Sequence, residues 1–148
     1  MIWNLGPYTW RLLAQRPWVT VADGDGFPER SINRYLAFVA WQDHAPASVR
    51  ADARHLAQAA TWLSFHQQTW VTADLTLWAQ YCAAVAWELP PGLPARFRAQ
   101  RHISTLHRAY AFWHWDDPRA LPFQPFPGRR QDRAAWVDQA VQCLETGP

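Results

Sequence analysis

Arginine supplies the chemistry that this sequence offers most plainly. Arg50 and Arg54 stand one helical turn apart in PASVRADARHLAQAATWL, and Arg96, Arg98, Arg101 and Arg108 recur through RFRAQRHISTLHR, with His102 and His107 among them. No Asp or Glu falls between Arg96 and Arg108, so that segment carries four formal positive charges. Guanidinium groups in such a pattern pair bidentately with phosphate oxygens or with guanine edges. Arg129 and Arg130 add a smaller basic pair that can touch a phosphate backbone. All 14 basic residues are arginine, a bias that a GC-rich genome also produces. The position of the charges therefore says more than their number.

Other reactive side chains do not form a catalytic pattern. His102, His107, His114 and the Asp116-Asp117 pair are the best acid and base groups, but no spacing couples a nucleophile, a base and an orienting group. Asp116-Asp117-Pro118 reads instead as a helix stop. Cys82 and Cys143 lie far apart without a CxxC, and the six His lack ligand spacing, so neither a metal site nor a disulfide framework is signalled. Asp23-Gly24-Asp25-Gly26 is turn chemistry without the further oxygen ligands that a calcium loop places at fixed offsets. Catalysis by this chain alone, a cofactor and a small-molecule substrate are all unexpected on these grounds.

The elements that must position the arginines read as helices. At 148 residues, 49% hydrophobic and 18% charged, with a net charge of +2, the chain suits one folded domain with a real core. Its start lacks a basic leader, and no window approaches the roughly 20 apolar residues of a membrane span. A cytoplasmic protein is the expectation. Residues 1–30 look like an irregular arm broken by Pro7, Pro17 and Pro28, with a short helical turn at 10–15 and a short extended piece at 18–21.

A first helix is predicted from Ser31 to about Asp43, burying Ile32, Tyr35, Leu36 and Val39. After the break at 44–46 a second follows, with Ser48 as its expected N-cap and Val49, Ala53, Leu56, Ala60 and Leu63 as its buried seam. A third, capped by Thr72, buries Leu75, Trp78, Cys82 and Val85, and the Pro90-Pro91-Gly92-Leu93-Pro94 run ends it. A fourth runs from near Ala95 to about Trp115 and buries Ala99, Ile103, Leu106, Tyr110 and Trp113. A Pro-rich passage then leads to a short helical pattern at 134–144. The expected class is all-α, a small four- to five-helix bundle. Its divisions are an N-terminal arm at 1–30, a helical domain at 31–118, and a Pro-rich linker with a short C-terminal helix at 119–148.

Over roughly 19–127 this order of features resembles the N-terminal core-binding, SAM-like domain of tyrosine recombinases, the phage integrase family. PASVRADARHL with TWL matches that family's Ser/Thr-hydrophobic-Arg motif and its Trp-Leu end in register. RAQRHISTLHRAYAFW fits its later basic helix, and Gln124-Pro125 stands where Asn-Pro is usual. Asp52 and Ala59 occupy positions where the family tends to have an aromatic residue. The resemblance implies a DNA-binding domain that holds a duplex recombination half-site. Ser48, Arg50, Arg54 and His55 would serve on the second helix, and Arg96, Arg98, Arg101, His102 and Arg108 on the fourth.

The resemblance also implies self-association on DNA, and catalysis by a separate domain bearing a tyrosine nucleophile with arginine, histidine and lysine. This sequence, without any lysine, does not carry that set. The alternative from composition is a helical protein interaction module or stand-alone regulator. Trp3, Trp41, Trp70, Trp87 and Trp115 are the aromatics in excess of what a core needs.

Overall fold

The computed structural model describes residues 7–42, 44–86, 94–121 and 124–145. Trp3, Trp87, the Pro90 to Leu93 stop and Asp43 at the predicted end of the first helix lie outside the described residues. Among those described there are two strands, β1 (Thr9–Leu12) and β2 (Val19–Ala22), and five helices. The helices are α1 (Arg30–Ala40), α2 (Pro46–Phe65), α3 (Leu75–Ala86), α4 (Ala95–Asp116) and α5 (Arg130–Glu145). The chain is mostly helical, and it divides into two compact units at Thr69/Trp70.

The N-terminal unit is α1 and α2 packed with an antiparallel hairpin. The expected short helix at 10–15 is instead strand β1, paired from Thr9 opposite Ala22 to Leu12 opposite Val19. Alternation in VTVA buries Val19 and Val21 while Thr20 and Ala22 stay half-buried, the period-two signature of a sheet with one core face. The strict all-α expectation is corrected here. The Asn33 side chain ties α1 to the sheet by accepting from the Val21 amide at 2.9 Å and donating to the Val21 carbonyl at 3.0 Å. Asp23 Oδ1 accepts from the amides of Asp25 and Phe27 at 3.0 Å each, so the acidic loop is an Asx turn.

Helix α1 begins one residue earlier than predicted, because Glu29 caps it by accepting from the Ile32 amide. Ser48 is not the cap of α2. Pro46 takes the first helical position, where its missing N–H costs nothing, and Ala45 precedes it without a side-chain cap. The predicted seam of α2 is buried at every position, from Val49 to Leu63. Burying a Leu or Val of this kind contributes about 1.5–3 kcal/mol. Asp52 is buried as well, and accepts a hydrogen bond from the Tyr35 hydroxyl of α1 at 2.9 Å.

The C-terminal unit packs α3, α4 and α5 against one another. Asp74, not Thr72, caps α3, accepting from the Leu77 amide at 2.9 Å. Leu75 is exposed at the helix start, against expectation, while Trp78, Cys82 and Val85 are buried. Around Trp78 sit Tyr81, Tyr110 and Phe126, with ring centroids 5.6, 6.3 and 5.9 Å away. Trp70 stacks on Trp78, and its carbonyl accepts from the Tyr110 hydroxyl. Burial raises the pKa values of Cys82 and Tyr110 far above their ordinary values, so both stay protonated. The stop at Asp117 is as predicted, its Oδ1 accepting from the Arg119 and Ala120 amides. Helix α5 starts at Arg130, four residues ahead of the predicted 134.

Candidate nucleic-acid interface

The residues singled out for an anionic partner fall into two groups, one in each unit. On α2, Arg54 is exposed and Arg50 half-buried, one turn apart along one margin of the buried seam. Ser48, exposed, and His55, half-buried, lie along the opposite margin of that helix, because seven residues bring a helix back almost to the same side. The second helix thus presents an arginine edge and a Ser/His edge separated by the small residues Ala47 and Ala51.

On α4 the set divides more sharply. Arg101 and Arg108 are exposed and seven residues apart, so they share one side at about 10 Å spacing along the axis. Ser104 lies between them on that side, and exposed Phe97 and Trp115 flank the stripe. Arg96 is exposed at the helix start with its guanidinium 4.7 Å from the Phe97 ring centre.

Two members of the set are spent inside the fold. His102 is buried at 4% exposure, and its Nδ1 shares a hydrogen bond of 3.0 Å with the Tyr81 hydroxyl. It projects from the buried side of α4 with Leu106 and Trp113, and so is out of reach of a ligand on the arginine side. Arg98 donates from Nη1 to the carbonyl of Ala86 at 2.9 Å, which satisfies a free carbonyl at the end of α3 and holds that guanidinium against the protein.

Arg133 had no place in the sequence-derived set. It donates from Nη1 to the carbonyls of Pro127 and Gly128 at 3.1 and 2.8 Å. Its three-residue spacing from Arg130 is the only sequence signal that marks it. Burial, followed by the nearby Arg108 and Arg130 charges, lowers its pKa. His107 is lowered too, by burial and then by Arg133 and Arg108, which keeps it neutral at physiological pH. The described residues hold no cluster of His, Cys, Asp or Glu able to bind a metal ion. None of their helices is long and apolar enough to cross a membrane. Comparison of the chain with protein-family models, with curated proteins and with solved structures finds no match.

Proposed function

We propose that this chain binds duplex DNA, as a core-binding module of the tyrosine recombinase type whose cutting is done by a separate catalytic domain. The observation that carries the reading is the α4 stripe: Arg101 and Arg108 exposed on one side of a helix with no acidic residue between Ala95 and Trp115. Its spacing suits the major groove, about 12 Å wide, where arginines meet phosphates on the rims and guanine edges on the floor. Arg96 extends the positive charge toward the start of the helix. Arg50 and Arg54 give the N-terminal unit an arginine edge of its own. With net charge only +2, binding arises from this local concentration and not from the overall field.

The test is a salt series with a labelled duplex, comparing wild type with Arg50→Ala, Arg54→Ala and Arg101→Ala. Each lost phosphate contact flattens the slope of log affinity against log salt by about 0.9. Wild-type protein that fails to bind at low salt, or variants indistinguishable from it, would overturn the reading. A protein interaction module is the second reading, favoured by the exposure of Trp115 at 71% and Trp41 at 67%. A strictly monomeric sizing profile at all concentrations, without DNA, counts against it.

A further inference from the structure

Arginines far apart in the sequence come within range of one another's charge where α4, the 124–128 segment and α5 pack together. Phe126 sits between the two helices, its ring centre 5.8 Å from that of Tyr110 on α4 and 5.8 Å from that of Trp136 on α5. Gln124 fixes the segment to α4 by donating from Nε2 to the His107 carbonyl at 3.1 Å, and its Oε1 accepts from the Phe126 amide. Arg133 fixes it to α5 through the Pro127 and Gly128 carbonyls. The turn of α4 at 107–110 and the turn of α5 at 133–136 are thereby held side by side. Arg108 lies on that part of α4, near enough to Arg133 for their charges to interact, and Arg130 lies three residues before Arg133 on the same side of α5.

This arrangement runs against local electrostatics. Burial first, and then the Arg108 and Arg130 charges, lower the pKa of Arg133, and burial followed by Arg133 and Arg108 does the same at His107. Arg130 and Arg133 also occupy the first turn of α5, where the helix dipole favours anions and disfavours cations. Asp132, the acidic residue of that turn, sits two positions from Arg130 and so projects toward the other side of the helix. Nη1 of Arg133 is occupied by carbonyls, while its Nε and Nη2 donors have no protein partner among the described residues. A guanidinium anchored in this way loses little further freedom when a second acceptor arrives.

We infer that Arg108, Arg130 and Arg133 form a second backbone contact for duplex DNA, taking phosphodiester oxygens at the seam of α4 and α5 and extending the Arg101–Arg108 stripe onto α5. Arg108 belongs to both contacts and makes them continuous. The inference rests on the DNA-binding reading above and adds to it Arg133, which no sequence motif contains, joined with Arg108 and Arg130 in one contact. Backbone phosphates are the suited ligand because Arg130 and Arg133 offer charge and donors at the start of a helix and not along a groove-reading face, so they contribute affinity without sequence preference.

The experiment uses the full chain and a labelled duplex across a salt series, with Arg130→Ala, Arg130→Ala/Arg133→Ala and Arg101→Ala. The Arg130 side chain has no hydrogen bond among the described residues, so truncating it removes no bond that holds α5, and thermal melting checks that the fold is kept. The slope of log affinity against log salt is expected to flatten by about 0.9 for Arg130→Ala and about 1.8 for the double variant. If Arg101→Ala flattens the slope while Arg130→Ala matches wild type, the seam contact is overturned and the DNA reading stands. If wild type binds no duplex at low salt, the DNA reading itself falls and this contact with it.

Discussion

The two units solve the same packing problem with different side chains. Apart from Tyr35, the core of α1 and α2 is aliphatic and small, with Ile32, Leu36, Val49, Leu56 and Leu63 buried together with Ala53, Ala57, Ala59 and Ala60. Among α3, α4 and α5 it is aromatic, built on Trp78 with Tyr81, Tyr110, Trp113 and Phe126. Both place one tyrosine hydroxyl across their helix pair: Tyr35 to Asp52 in the first, Tyr81 to His102 in the second. The alanine-rich face of α2 lets its partners approach closely through small contacts. The aromatic core instead depends on a few large plates, so its stability is concentrated in fewer residues.

That contrast is open to measurement. Trp78→Ala is expected to cost about 3–5 kcal/mol, the largest single loss, because several rings lose their common neighbour. Leu56→Ala is expected to cost about 2–4 kcal/mol, since the small residues around it allow some collapse into the void. Urea titrations compare the two, and equal losses would remove the distinction. Asp52→Ala, which removes the carboxylate that accepts from the buried Tyr35 hydroxyl, should cost about 1–3 kcal/mol, and much less in a Tyr35→Phe background. Arg101→Ala should change stability by no more than about 0.5 kcal/mol while flattening the salt dependence of duplex binding by about 0.9.

The smallest effect concerns pH. The folded His107 pKa lies below the ordinary 6.5, so in the window just beneath that value the unfolded chain binds more protons than the folded one. Stability therefore declines as pH falls from 7 through the folded pKa, and then levels with respect to this group. Denaturant midpoints for His107→Gln should fall less over that range than those of wild type. An identical decline would remove His107 from the account.

The α2 seam was fully legible, because Val49, Ala53, Leu56, Ala60 and Leu63 carry their burial in a local repeat. The same holds for Ala99, Ile103, Leu106, Tyr110 and Trp113 on α4. Strand β1 was not legible. Its residues are all exposed, so TWRL shows no alternation between core and solvent, and its pairing with β2 is a contact between segments. In the candidate site, Arg101 and Arg108 were legible as outward positions on a helix without acids. His102 was not recognisable as buried, since a histidine among arginines looks polar until Tyr81 arrives from another helix to satisfy it.

The five helices, the apolar seams of α2 and α4 and the arginine content of those two helices are thus properties of the sequence by itself, set by side-chain spacing and backbone sterics over a few residues. Tertiary structure decided the rest. It chose Asp74 over Thr72 as a cap, committed Arg98 to the Ala86 carbonyl and used the carboxylate of Asp52 to satisfy Tyr35. It also brought the charges of Arg108 and Arg130 within range of Arg133. The physical reason is one of range: hydrophobic period acts within a helix, whereas desolvation and charge proximity depend on which distant segment is packed alongside.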